Sequence, residues 1–337
     1  MPQRMGCPET RRCYTAAITF APSSQRPRVG GVTMQQVTVR VPASTSNLGP
    51  GYDCLGVALR LHNSVTLVRG NTRRISHARI VSDAAERFFK QTRIGRFSFS
   101  YSIVERIPRC RGLGSSATVR LGILFGLNHL SGEPLDRLTV FRLCAGLEGH
   151  PDNAAPATFG GFTVVQSSAS VSRALDNPEK CPAVYRFDAA PRLYFVLLVP
   201  DLEIETARAR RILPSKISRI AAVENCASAC ALTAAFASRD YEKMRGSFSD
   251  NLHQPFRAKL IKFLPRVIAA AERAGALGAF LSGSGSTIAA VALNSSKKIA
   301  AAMARAAKIP GRTIITHADN RGAQVLPIRG RTSGIDQ

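Results

Sequence analysis

Pro108-Arg-Cys-Arg-Gly-Leu-Gly-Ser-Ser-Ala117 is the stretch on which the fold turns. Upstream, Phe97, Phe99 and Tyr101 alternate with Ser98, Ser100 and Ser102, the period of a half-buried strand. Downstream, Leu121, Leu124, Phe125 and Leu127 mark the apolar side of a helix predicted over 115–130. A strand that enters a helix through two glycines and two serines suits an anion. Glycines let the backbone approach phosphate oxygens. The first helical turn offers unpaired N–H groups at the positive end of a dipole, and Ser115 or Ser116 is expected to cap it. A tight turn alone explains one glycine, not Gly-Leu-Gly-Ser-Ser.

Other phosphate loops fit less well. No G-x-x-x-x-G-K-[ST] occurs, and the protein-kinase set of V-A-I-K, H-R-D and D-F-G is absent. Gly112 to Ala117 formally matches a dinucleotide fingerprint. That motif also needs a second strand ending in an acid, whereas Glu133 and Asp136 fall in a predicted turn between helices.

Working outward, strands fit 35–41, 57–68, 97–104, 160–166 and 193–199, and helices fit 82–92, 115–130 and 136–147. Beyond residue 200, Ala-rich helices fit 217–237 and 256–274. Strands at 277–281 and 286–292, a helix at 297–307 and short strands within 312–326 follow. Strands and helices do not alternate strictly, so the fold class is α+β rather than a doubly wound sheet. The Ser-, Pro- and charge-rich stretch 166–191 suggests one domain over 34–190 and another over 191–330, with a tail at 331–337. Residues 1–33 show no periodicity. They read as a disordered extension before a true start at Met34 or as an Arg-rich targeting segment, and least of all as an ordered arm.

Composition agrees with a soluble globular chain: 45% of the 337 residues are hydrophobic and 20% charged. No apolar run approaches the roughly 18 residues that span a bilayer, so no membrane partner is expected. The 46 Lys and Arg against 22 Asp and Glu give a net charge of +24. These cations are spread along the chain without a block of five or six, so nucleic acid is not expected as the main function. The field suits anionic small molecules such as nucleotides. Among eight cysteines, Cys226 and Cys230 share a helical face without further metal-binding partners. They read as small buried side chains in a reducing, cytoplasmic setting.

Three more clusters set polar residues among glycines: Pro42-Ala-Ser-Thr-Ser-Asn-Leu-Gly-Pro-Gly-Tyr-Asp53 after the first strand, Glu148-Gly-His-Pro-Asp-Asn153, and Leu281-Ser-Gly-Ser-Gly-Ser-Thr287 between two strands. Each alone is an ordinary turn. In this order and spacing, together with Glu205-Thr-Ala-Arg-Ala-Arg-Arg-Ile-Leu-Pro214 and Asp250-Asn-Leu-His-Gln-Pro-Phe-Arg257, the chain resembles the GHMP kinases from Met34 to Leu326. Among them it most resembles the homoserine kinase branch. Two departures are small: Ser286 stands where members often have Pro, and Ala117 is followed by Thr118 rather than a second Ala.

The resemblance implies a two-domain α+β fold, with a left-handed βαβ crossover in the N-terminal domain and a sandwich-like α/β C-terminal domain. It implies transfer of the ATP γ-phosphoryl group to the hydroxyl of L-homoserine, on the route to threonine, with Mg2+. ATP is expected along Pro108, Arg109, Cys110, Arg111, Gly112, Leu113, Gly114, Ser115, Ser116 and Ala117, and the metal at Ser116 and Glu148. Substrate positions carried over are Asn47, Asp53, His150, Asn153, Arg210 and Arg257, with Thr206 beside them. Asp53, Asn47 and Arg210 stand nearest the chemistry. Forked guanidiniums suit the substrate carboxylate. In other GHMP kinases an Asp is the base; here Asp53 is expected to orient the substrate, and the γ-phosphate to take the proton. The family is often dimeric, so a homodimer is a further expectation of the resemblance.

Overall fold

The computed structural model describes residues 12–18, 35–70, 78–166 and 183–327. Its strands are β1 (Arg12–Ile18), β2 (Gln36–Asn47), β3 (Gly51–Arg69), β4 (Phe99–Glu105), β5 (Phe162–Val165), β6 (Val184–Phe187), β7 (Tyr194–Pro200), β8 (Gly278–Leu281), β9 (Ile288–Ala292), β10 (Gly311–His317) and β11 (Gln324–Leu326). Its helices are α1 (Arg79–Thr92), α2 (Ser115–Leu130), α3 (Arg137–Glu148), α4 (Ala154–Phe159), α5 (Thr206–Arg211), α6 (Arg219–Ser238), α7 (Gln254–Arg257), α8 (Leu264–Arg273) and α9 (Ser296–Ala307).

The strands build two antiparallel sheets. The first has the order β1-β4-β3-β2-β11, with β5 joined to β3 and β6 to β5; the second has the order β10-β7-β9-β8. Helices α1 to α4 share a core with the first sheet, including Val39, Val65, Phe88, Leu121, Phe141 and Ala155. Helices α8 and α9 cover one face of the second sheet through Leu264, Val267, Ile299 and Met303. A third core joins the sheets: Val57, Leu59 and Phe162 meet Phe195, Phe236 and Phe280. Phe162 stacks on Phe236 with centroids 3.9 Å apart. Burying such a ring contributes about 1.5–3 kcal/mol, so α6 is tied firmly to the first sheet.

Several expectations change here. Residues 12–18, within the expected disordered extension, form β1 and pair with β4 from Arg12↔Glu105 to Ile18↔Phe99. The rest of 1–33 lies outside the described residues. β1 carries weak alternation because it is an edge strand completed by backbone pairing. The segment 42–53, expected as a loop, is mostly strand: β2 runs on to Asn47 and turns straight into β3. Its alternation vanishes because residues 41–51 are all buried. The expected helix 256–274 breaks into α7 and α8, and β11, from the C-terminal half, pairs with β2.

Cys226 and Cys230 are exposed, not buried. They lie on α6, which by length and composition alone is apolar enough to cross a membrane, a property not expected of any segment. Its alanines give that character. Here Leu232 and Phe236 pack into the core that joins the sheets. Buried Asn225 donates to Pro50 O at 2.5 Å and accepts from Asn251 N at 3.1 Å.

Candidate active site

One cavity of about 770 Å3 is lined from both halves of the chain by β2, β3, β4, the glycine loop, α2, the 148–153 segment, α5, α7 and the turn after β8. That volume suits a nucleotide with a small second substrate. Every expected site residue except Ala117 lines it; Ala117 is buried behind the wall.

The glycine loop is held by its neighbours. Ser282 Oγ donates to Gly112 O at 2.6 Å, and Thr45 and Ser282 hydroxyls lie 2.8 Å apart. Ser44 N donates to Leu113 O, and Thr287 N to Arg111 O. Gly112 has φ +73°, and a Cβ there would stand 2.0 Å from Ser282 O. Gly114 has φ +68°, and a Cβ there would stand 2.1 Å from Ser44 Oγ. Both positions need glycine for conformation and for space. Gly114 itself is the N-cap of α2, and no side chain caps the helix. The expected cap from Ser115 or Ser116 is therefore absent, because both already lie inside the first turn. The N–H groups there have no intrahelical acceptor.

Arg109 is not free for phosphate. It grips Glu105 with Nε–Oε2 at 2.7 Å and Nη2–Oε1 at 2.6 Å. Arg111 donates from Nε to Pro200 O at 2.9 Å and approaches Glu203 at 3.2 Å. Beyond the loop the wall is apolar, with Ile80, Val81, Tyr101, Ile103 and Val119, a surface fit for a flat base.

At the other end, Arg210 meets Asp53 through two parallel hydrogen bonds, Nη2–Oδ1 at 2.6 Å and Nη1–Oδ2 at 3.0 Å. Asp53 has φ +58°, and its N–H donates to Asn47 Oδ1 at 3.1 Å. Asn47 Nδ2 donates to Gly283 O at 3.1 Å. Tyr52 lies near both Arg210 and Arg257, its ring 5.5 Å from the first and 5.3 Å from the second. Arg257 is almost wholly buried. It donates to Ala209 O at 3.2 Å, Gly283 O at 2.8 Å and His253 Nδ1 at 3.3 Å. His253 Nε2 faces Gly49 O at 2.9 Å. A carbonyl on Nε2 and a guanidinium donor on Nδ1 require the neutral Nε2–H tautomer. Burial above all, with the Arg257 charge, pushes the His253 pKa down to about 4.

His150 Nδ1 contacts Asp152 Oδ1 at 2.9 Å. Burial opposes the imidazolium, but the hydrogen bond and charge of Asp152 prevail and raise the His150 pKa. Burial likewise opposes the Asp152 carboxylate, while His150, Ser46 and Arg210 together lower its pKa. Asn153 donates to Ser46 Oγ at 3.1 Å and accepts from Ser44 Oγ at 2.8 Å. Thr206 Oγ1 lies 3.4 Å from Ser284 Oγ. Ser116 Oγ donates to Glu148 Oε2 at 2.7 Å, and Arg120 pairs with Glu148 Oε1.

Sequence reasoning assigned no role to Tyr52, Asp152, Glu105 or Arg120. Tyr52 and Asp152 sit inside the quoted clusters and could have been picked out there. Nothing local marks Glu105 or Arg120.

The family model described as GHMP kinases N terminal domain matches residues 79–161, and that described as GHMP kinases C terminal matches 232–309. The homoserine kinase of Microchaete diplosiphon is 36% identical over 311 residues, covering 87% of this chain and 98% of that protein. The homoserine kinase of Halothermothrix orenii is 33% identical over 304 residues, covering 85% and 94%. The crystal structure of homoserine kinase from Cytophaga hutchinsonii superposes with a TM-score of 0.78 at 25% identity, over 89% of this chain and all of that one. Streptococcus pneumoniae phosphomevalonate kinase shares the fold alone, with a TM-score of 0.65 at 13% identity over 87% of this chain and all of that one. On the first relative's identity and coverage, and with both family models matched in order, the chain belongs to the GHMP kinase family, whose members use ATP.

Proposed function

We propose that the chain is a homoserine kinase, transferring the ATP γ-phosphoryl group to the hydroxyl of L-homoserine to give O-phospho-L-homoserine and ADP for threonine biosynthesis. The observation that carries the substrate is the pairing at one end of the cavity. Arg210 and Arg257 both lie near Tyr52, and Asp53 stands against Arg210. A zwitterion answers that set: its carboxylate takes guanidinium donors and its ammonium takes Asp53. At the other end the glycine loop and the first turn of α2 receive the phosphates, with the base against Ile80, Tyr101 and Ile103.

Catalysis then rests on placement and charge neutralisation. The substrate hydroxyl oxygen forms a bond to the γ-phosphorus as the bond to the β,γ-bridging oxygen breaks, and the hydroxyl proton passes to a γ-phosphate oxygen. Asp53, exchanged from Arg210 to the substrate ammonium, orients the substrate, and the γ-phosphate rather than Asp53 takes the proton. Ser116 and Glu148 place two hard oxygens 2.7 Å apart on the cavity wall. Two side-chain oxygens would leave the remaining positions of a Mg2+ to nucleotide oxygens and water. Bound there, Mg2+ would neutralise the phosphate charge. His150 and Asn153 complete the substrate end and Thr206 its rim. A cytoplasmic homodimer belongs to this proposal; exposed Ile220 and Val223 on α6 suit burial against a second copy.

The deciding experiment is ATP consumption by the purified chain with L-homoserine against mevalonate, galactose, pantoate and L-threonine. Turnover with L-homoserine above the others is expected. Turnover of another member with none on L-homoserine would make this a GHMP kinase of a different hydroxylated substrate. Light scattering tests the assembly: a mass of 36.2 kDa would exclude the dimer.

A further inference from the structure

Arg120 follows Ser116 by four residues on α2, so the two side chains share a face. Both reach the same carboxylate: Ser116 Oγ donates to Glu148 Oε2, and Arg120 Nη1 pairs with Oε1. Ser116 and Glu148 line the cavity; Arg120 does not. It stands behind Glu148.

Two features make a bare carboxylate unfavourable at 148. Its side chain is only 7% exposed, and burial without a counter-charge is costly. It also sits in the last turn of α3, where the helix dipole is negative. Arg120 answers both, at a cost of its own. Its side chain is 17% exposed and its Nε is buried with no hydrogen-bond partner. An apolar side chain at this position would carry no such defect. What the guanidinium does for Glu148 accounts for its presence.

Resting on the reading of Ser116 and Glu148 as the magnesium side chains, we propose that Arg120 is a positioning residue. It holds the Glu148 carboxylate turned towards Ser116 before the metal–nucleotide arrives, so that the site is already assembled. Arg120 touches neither substrate; its effect passes through Glu148 alone. Its loss therefore removes the metal-dependent part of nucleotide affinity and leaves the metal-free part.

The test is calorimetric titration of ATP into the wild-type chain, R120M, R120Q, R120K and E148Q, once in EDTA and once with excess Mg2+. The readout is the ratio of the two dissociation constants. In R120M and R120Q the ratio falls by about 10-fold, the scale of lost partners of metal ligands. The EDTA value stays within about 2-fold, and R120K restores much of the ratio because its ammonium still pairs with carboxylate. Melting of each variant in EDTA identifies any that fails to fold, and the two neutral variants serve as alternatives for each other. A ratio unchanged in both neutral variants while E148Q lowers it overturns the role of Arg120 and leaves the metal reading standing. A raised ratio also overturns it, since Arg120 would then merely compete with the metal. A ratio unchanged in E148Q removes Glu148 from the metal site and the proposal with it.

Discussion

Asp53 and Arg210, 157 positions apart, face each other in two parallel hydrogen bonds of 2.6 and 3.0 Å across the cavity. The pair joins β3 of the first sheet to α5, beside the second. On the proposed reading, a substrate with both charges exchanges one internal pair for two external ones, and the pair neutralises the site until then.

Asp53→Asn and Arg210→Ala should each lower kcat/KM for L-homoserine by about 100-fold, the scale of a lost charge-assisted contact of up to 3 kcal/mol. The side chains are 26% and 35% exposed, so the change in unfolding free energy should stay within about 1 kcal/mol. A coupled ATPase assay and urea unfolding check the two halves; wild-type activity in both variants would sink the site assignment.

Arg257 should behave differently from Arg210 although both line the same cavity. Its donors satisfy Ala209 O, Gly283 O and His253 Nδ1 inside the fold. Arg257→Ala should destabilise the chain by about 3–5 kcal/mol, as breaking buried charged networks does. A urea midpoint equal to that of Arg210→Ala would refute the distinction.

Gly114→Ala places a Cβ 2.1 Å from Ser44 Oγ on a backbone with φ +68°. A loss of about 1–2 kcal/mol is expected from the conformation alone, with a higher KM for ATP because the loop must shift. Adding Ser44→Gly should recover the part due to the clash and not the part due to φ. Full recovery would show that the backbone carries no strain.

His150 and His253 should give opposite pH signatures. The raised His150 pKa means that its contribution is full below the unfolded value near 6.5 and fades as pH rises through the folded value. The depressed His253 pKa, about 4, means that the unfolded chain binds the proton first. Stability is then lost as pH falls from about 6.5 towards 4. The stability gap between wild type and His150→Gln should be wider at pH 6 than at pH 8.5, and His253→Gln should flatten the acid limb. Urea unfolding across that range decides; a His150 gap that widens towards alkaline pH would contradict the ion pair with Asp152.

The glycine loop and α2 are legible in the sequence because local rules dictate them: two glycines at positive φ, then a continuous helical pattern. The segment 42–53 is not, because strands buried on both faces lose their alternation, and its Ser, Thr and Asn bond to distant loops. Arg120 is 28 residues from Glu148, and no spacing rule links positions on two helices. Asp152 reads as a helix start, as Asp often does, and only the fold shows its carboxylate turned back to His150. The residues that line the cavity are legible through their clusters; those that hold them in place are not, because their partners are set by packing.

β11 pairs with the outer edge of β2, and Arg40 donates to Gln324 across 284 positions. During synthesis β2 leaves the ribosome early, and its edge stays open until almost the last described residues emerge. The first sheet thus cannot be completed at this edge until the C-terminal strand has emerged. An exposed strand edge invites pairing with other chains. A chaperone or a binding partner acting on the nascent protein would find its target there, and a chain cut before residue 324 would be left with the same open edge.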